Sequence, residues 1–321
     1  IAITLAVLAG GCGDDGGDAG AEAEAGSTTA PPTSADASTT QAAPETSQAP
    51  ETTPAPSSSS TTTEAPRPEI PAPPASTVEE ILELDQALVI GHAGGDRSWP
   101  HSTMFAFSEA AAAGTDVLEM DVQLTADGVL VVQHDDTVDR TTETSGRVRD
   151  LTLEEIQALD NGYWWSGEWG NQDLPDDAYV YRGIRTGAVE PPPGYGPDDF
   201  RVETFRAVAE AFPDHVLDVE IKIPRGDDGE DDLDFATEGA RVLAAEIDEL
   251  GRADSTVVVS FNDDVMPAFR ELAPDVVTSP GETSVFSWLV GSAELHPNDR
   301  VLQIPPERDG IDLLLSLIHI S

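Results

Sequence analysis

The chain has 321 residues, of which 39% are hydrophobic, and a formal net charge of −45. An acidic excess of that size repels nucleic acid and anionic lipid head groups, which excludes a DNA- or RNA-binding role. An anionic substrate would need a local positive centre on such a surface, for instance a bound metal ion.

The chain opens on an apolar run that ends in small residues and a cysteine, "ITLAVLAGGCGDDGG". Cys12 is the only cysteine, so no intrachain disulfide can form. The run is similar to the end of a signal peptide and the lipobox of a bacterial lipoprotein, with Leu8 four residues before Cys12 and Ala9 three before it. That similarity implies a lipid on Cys12 and an extracytoplasmic protein anchored to the bacterial cell membrane. An ordinary cleaved signal peptide is the alternative. The visible run is too short to span a bilayer, and no basic residue precedes it, so the natural start is expected upstream.

Residues 13–77 are dominated by Ala, Ser, Thr, Pro, Glu and Gly, with ten acids against one Arg. Such a segment cannot bury enough apolar surface to offset the entropy of ordering, so it reads as a disordered tether. Its reach lies between ~45 Å as a coil and ~200 Å fully extended.

From residue 78 strand and helix alternate. "ALVIGHAGG" (87–95) reads as a strand ending in glycines, and "STMFAFSEAAAAG" (102–114) as a helix capped by Ser102 or Thr103. "VLEMDVQL" (117–124) and "VLVVQHD" (129–135) read as strands around an "ADG" turn, followed by a short helix over 152–159. Residues 160–200, rich in Trp, Gly, Pro and Asp, read as an irregular insertion. Helices are expected at 202–212, 235–251, 264–273 and 284–293, and strands at 216–223, 256–261, 275–280 and 300–306. Strands apolar along their length, separated by helices, indicate a parallel sheet covered on both faces. Seven strands are counted, and an eighth would close a TIM (β/α)8 barrel over 78–314. A doubly wound sheet is the alternative, weakened by the lack of a G-x-G-x-x-G fingerprint after the first strand. The tail "LSLIHIS" (315–321) resembles a translated sequencing adapter, so the barrel's last strand is expected to be missing beyond Leu314.

Several charged residues interrupt these strands. Residues two apart on a strand share a face, so Glu119 pairs with Asp121, and Glu220 with Lys222, the only lysine in the chain. His92 and His134 sit at the C-terminal ends of their strands, where a barrel gathers its catalytic groups. Three carboxylates in one mouth repel unless a cation neutralises them, and an all-oxygen set suits Ca²⁺ or Mg²⁺. The plainer alternative is that Glu119 and Asp121 cap a strand end or pair with Arg.

The blocks "GHAGG", "STMFAF", "AGTDVLEMDVQLTADGVLVVQHDDTVDRTTETSGRVRDLTLEEIQALD" and "FPDHVLDVEIK" resemble the glycerophosphodiester phosphodiesterase family over roughly residues 86–314. That resemblance implies a TIM barrel that uses a divalent metal to hydrolyse glycerophosphodiesters to glycerol 3-phosphate and an alcohol. It implies Glu119, Asp121 and Glu220 as metal carboxylates, His92 and His134 as the acid–base pair, and Lys222 beside the phosphate. Two departures stand out. The family's His-Arg-Gly is His92-Ala93-Gly94 here, with Arg97 the candidate replacement in the same loop. Its Pro-Glu-Asn-Thr is Pro100-His101-Ser102-Thr103, with His101 a candidate compensating polar group. Trp164, in "YWWSGEW", and Phe261, in "SFN", are candidates to line the substrate pocket. Two rival readings are lysophospholipase D-like head-group cleavage on a lysophospholipid and a non-catalytic binding lipoprotein, the latter favoured by Ala93.

Overall fold

The computed structural model describes residues 4–7, 66–168, 170–304, 307–308 and 311–312. Cys12, most of the expected tether and the adapter-like tail lie outside the described residues. The elements are β1 (Thr4–Val7), α1 (Val78–Glu83), β2 (Ile90–Gly91), α2 (Met104–Ala112), β3 (Val117–Leu124), β4 (Leu130–Val132), α3 (Leu153–Gln157), α4 (Phe205–Ala211), β5 (Val216–Ile221), α5 (Leu233–Leu250), β6 (Thr256–Val259), α6 (Met266–Leu272), β7 (Val277–Thr278), α7 (Glu282–Leu289) and β8 (Val301–Ile304). A two-residue pair, β9 (Glu307–Arg308) and β10 (Ile311–Asp312), follows.

Strands β2, β3, β5, β6 and β7 lie side by side in that order, all parallel, and β8 continues the path through a bridge from Thr278 to Asp299. Spatial order follows chain order without reversal, which is the winding of a TIM-type barrel and not of a doubly wound sheet. Strand β1 pairs in parallel with β8, Thr4 opposite Val301 and Val7 opposite Ile304. Among the described residues no pairing joins β1 to β2.

The helices have local reasons to start and stop where they do. Thr103, Thr152 and Thr204 each accept a hydrogen bond from a backbone N–H in the first turn of α2, α3 and α4. Asp232 caps α5 in the same way, and Gly251 ends it in the left-handed conformation. Along α5, Ala236, Ala240, Leu243 and Ile247 recur at helical spacing and bury one stripe.

Strand β3 is buried along its whole length, yet its faces differ in chemistry. Leu118, Met120, Val122 and Leu124 point outward into the layer shared with Phe107, Phe205, Leu243 and Phe269. Each such side chain contributes about 1.5–3 kcal/mol on burial. The inward face begins apolar: Val117, Val216, Val257 and Val301 form a plug with Val78 of α1, and Ile81 and Leu82 pack against it. Above the plug the inward positions become polar, Glu119 and Asp121 on β3, Asp218 and Glu220 on β5. The site's charge therefore stands on an apolar floor.

The structure departs from the sequence reading in three places. Residues 129–135 form no barrel stave: β4 pairs antiparallel with β3, Val132 opposite Val122, because the short turn between them cannot make a parallel crossover. Helix α1 is an additional element, fixed by a capping box between Thr77 and Glu80. Order also begins ahead of residue 78. Arg67 pairs with Asp199 at 2.7 Å and lies over the Tyr195 ring, and Ala75 is buried.

Candidate active site

Strand β2 ends at Gly91, and the chain turns at once through His92, Ala93, Gly94 and Gly95. Ala93, Gly94 and Gly95 have φ of 46°, 77° and 86°. A Cβ at Gly94 would lie 3.2 Å from the Phe107 backbone nitrogen, and one at Gly95 2.8 Å from the Trp99 ring. Only glycine suits both positions. The turn brings the His92 imidazole over the barrel mouth and points the Ala93 N–H at Glu119 Oε2, 2.6 Å away.

The strand register supplies the acidic cluster. Glu119 stands opposite Asp218, and Asp121 opposite Glu220. One carboxylate oxygen from each of Glu119, Asp121 and Glu220 lies within 4.8 Å of the others, and all three residues are buried. Lys222 Nζ bridges two of them, at 3.0 Å from Asp121 Oδ1 and 3.0 Å from Glu220 Oε1. Three carboxyls face one ammonium, an excess of acid that a divalent cation would neutralise. Burial and the neighbouring Asp121 push the Glu119 carboxyl well above the usual carboxylate range. Burial also opposes ionisation of Asp121, but Lys222 and the two imidazoles outweigh it and keep this carboxyl low. Asp121 Oδ2 is buried and meets no hydrogen-bond donor among the described residues. A hard cation bound by oxygen donors fits this arrangement, and Glu119, Asp121 and Glu220 are the residues that would hold it.

Two imidazoles flank the cluster, their ring centroids 6.4 Å apart and their planes at 63°. His92 Nδ1 lies 3.6 Å from Asp96 Oδ2. Burial raises the Asp96 carboxyl, but its contacts with His92 hold it below the usual value. The indole N–H of Trp165 donates to the Asp96 carbonyl at 2.9 Å, so the insertion braces this loop. His134 Nδ1 lies 2.7 Å from Asp135 Oδ1, which aims the opposite ring nitrogen away from that carboxylate.

Of the substrate-side candidates, Phe261 is 41% exposed, with Lys222 Nζ 6.0 Å from its ring centre. Trp164 packs edge-on against Tyr163 and Tyr179 beneath the Arg182 guanidinium. It also borders a cavity of about 20 Å³ shared with His101, Arg140 and Asn161. Arg97 is exposed on the loop after His92. Sequence reasoning passed over three residues near the site. Gln123 is buried on the inward face of β3, and its Nε2 lies 2.9, 3.3 and 2.7 Å from the carbonyls of Gln133, His134 and Asp135. Asp218 accepts from Gln303 Nε2 at 2.6 Å, and burial raises its carboxyl to about 7. Arg140 grips Asp135. The spacing Glu119-x-Asp121-x-Gln123 carried the signal for the first of these, since all three share a face.

Fold and site together define a TIM-type (β/α) barrel whose mouth carries a carboxylate cluster suited to a divalent cation, a lysine and two imidazoles. Residues 92–298, well over half of the chain, match the model of the glycerophosphoryl diester phosphodiesterase family, and the chain belongs to that family. It is 48% identical over 90 residues to a glycerophosphodiester phosphodiesterase of Caldanaerobacter subterraneus subsp. tengcongensis, covering 28% of this chain and 37% of that protein. It is 30% identical over 210 residues to human glycerophosphodiester phosphodiesterase 1, covering 65% of this chain and 53% of that protein. The matched segments thus span between about a third and a half of these curated relatives. The crystal structure of a glycerophosphodiester phosphodiesterase from Agrobacterium tumefaciens str. C58 is similar at 26% identity and a TM-score of 0.44, covering 60% of this chain and 66% of that one.

Proposed function

We propose that this protein is a metal-dependent phosphodiesterase that hydrolyses glycerophosphodiesters to glycerol 3-phosphate and an alcohol. The observation that carries this reading is the convergence of Glu119, Asp121 and Glu220 within 4.8 Å of one another at a mouth flanked by His92 and His134. Family membership and relatives named as glycerophosphodiester phosphodiesterases support it. A bound Ca²⁺ or Mg²⁺ supplies Lewis-acid stabilisation of negative charge on the phosphate oxygens.

The chain's own groups carry the remaining work. Lys222 places an ammonium beside the phosphate and absorbs developing charge. One imidazole accepts the proton of the attacking group, either water or the glycerol 2-OH; in the second case the first product is a cyclic phosphate, which a water molecule then opens to glycerol 3-phosphate. The other gives a proton to the departing alkoxide as its P–O bond breaks. Asp135, 2.7 Å from His134 Nδ1, fixes which nitrogen of that ring faces the substrate, while Asp96 lies 3.6 Å from His92 Nδ1. Phe261, Arg97 and Trp164 are the candidates for contacts to glycerol or the head group. We further propose that Cys12 carries the lipid that anchors the protein outside the cytoplasm.

The test is release of glycerol 3-phosphate from glycerophosphocholine, with and without chelator, beside Glu119→Ala and His134→Ala. Loss of turnover in chelator and in both variants is the expected result. Turnover that survives chelation removes the metal from the mechanism, and wild-type rates in both variants remove the site. Choline release from lysophosphatidylcholine but not from glycerophosphocholine would move the assignment to a lysophospholipase D.

A further inference from the structure

Behind Asp135 stand two side chains that the mechanism above does not use, Arg140 and His101. Arg140 closes a two-pronged grip on Asp135, Nε to Oδ2 at 2.5 Å and Nη2 to Oδ1 at 2.9 Å. Its remaining arm, Nη1, lies 3.1 Å from His101 Nε2. His101 is itself fixed: it is 4% exposed, its Nδ1 lies 3.0 Å from Ser102 Oγ, and its carbonyl accepts from Asn161 Nδ2 at 3.2 Å.

The donor count settles the protonation of this group. A guanidinium only donates, so His101 Nε2 accepts, and its Nδ1 carries the hydrogen that Ser102 receives. Burial, reinforced by the Arg140 charge, pushes the His101 imidazole down to about 3, so it is neutral at working pH. Burial opposes ionisation of Asp135, but His134 and Arg140 outweigh it and hold the carboxyl far below its ordinary value. An ionised Asp135 then accepts from His134 Nδ1–H, which fixes the tautomer and orientation of that ring.

We propose that Arg140, anchored by neutral His101, is a positioning residue that locks Asp135 and, through it, the His134 imidazole. The proposal rests on the phosphodiesterase reading for its kinetic consequence and on geometry alone for its structural one. A fork is needed: a lysine ammonium cannot engage both Asp135 oxygens and His101 from one stem. The acceptor at residue 101 also contributes, because an apolar side chain there would remove the 3.1 Å contact to Arg140 Nη1.

The test uses the full chain and four variants: Arg140→Lys, His101→Leu, His101→Gln and Asp135→Asn. On glycerophosphocholine, Arg140→Lys and His101→Leu should lower kcat by about tenfold or more, while KM and the Ca²⁺ dissociation constant stay within about twofold. His101→Gln restores an acceptor and should restore kcat. Combining Arg140→Lys with Asp135→Asn should cost no more than Asp135→Asn alone, since both act through one imidazole. Multiplying losses, or an unchanged kcat in Arg140→Lys while His134→Ala is inactive, would overturn the proposal. A second readout does not depend on turnover. In ¹⁵N-histidine-labelled protein the His134 Nδ1 proton should resonate far downfield and move or vanish in Arg140→Lys. An unmoved signal overturns the proposal even if the protein hydrolyses no glycerophosphodiester, whereas a moved signal in an inactive protein overturns only the phosphodiesterase reading.

Discussion

Asp121 of β3 stands directly opposite Glu220 of β5, and Lys222 Nζ lies 3.0 Å from a carboxylate oxygen of each. The parallel register alone creates this pair. A slip of β5 by one residue would turn Glu220 and Lys222 toward the apolar layer beneath the helices and break the pair.

The cluster therefore trades stability against cation binding. With chelator present, Glu119→Gln should melt at or above the wild-type temperature, because it removes a buried carboxyl that its surroundings disfavour as an anion. With Ca²⁺ or Mg²⁺ at about 100 times the dissociation constant, the wild type should gain about 2.7 kcal/mol, and the variant should gain little. Paired thermal melts with and without cation check both outcomes.

Lys222→Arg should not preserve function. The ammonium sits between two buried carboxylates, and a planar guanidinium does not fill that point-like position. The expected result is a fall in kcat/KM of about tenfold or more, with the fold retained by circular dichroism.

Asp218 makes stability depend on pH. Its folded-state value, about 7, lies above the ordinary aspartate value of 3.8. A raised carboxyl contributes stability that is fully present below the unfolded value and lost as pH rises through the folded one. In chelator, stability should fall between about pH 4 and pH 8, by at most on the order of 4 kcal/mol from this group. Asp218→Asn should flatten that part of the profile, as read by denaturant midpoints at each pH.

Gln123 ties the His134 segment to the strand that carries Glu119 and Asp121. Gln123→Leu leaves the carbonyls of Gln133, His134 and Asp135 without this buried donor. We expect a loss of about 1–3 kcal/mol in urea unfolding and a lower kcat with cation affinity retained.

How much of this was legible in the sequence follows from periodicity. The outward stripe Leu118-Met120-Val122-Leu124 and the inward acids alternate strictly, so strand β3 and its charged face were readable from the letters alone. The helix over 102–114 was readable from its cap at Ser102 or Thr103. The support behind His134 was not. Gln123, Asp135, Arg140 and His101 meet because an antiparallel hairpin folds back over the mouth, and that contact has no period in the sequence. The hairpin itself was misplaced as a barrel stave, since an apolar run of its length looks alike in either direction.

Ala93 serves the site through its main chain. Its N–H holds Glu119 whatever side chain the residue bears, provided the backbone stays left-handed. The carboxylate is thereby secured without any demand on the side chain. Side-chain variation at this one codon therefore leaves the hold on Glu119 in place so long as the turn persists.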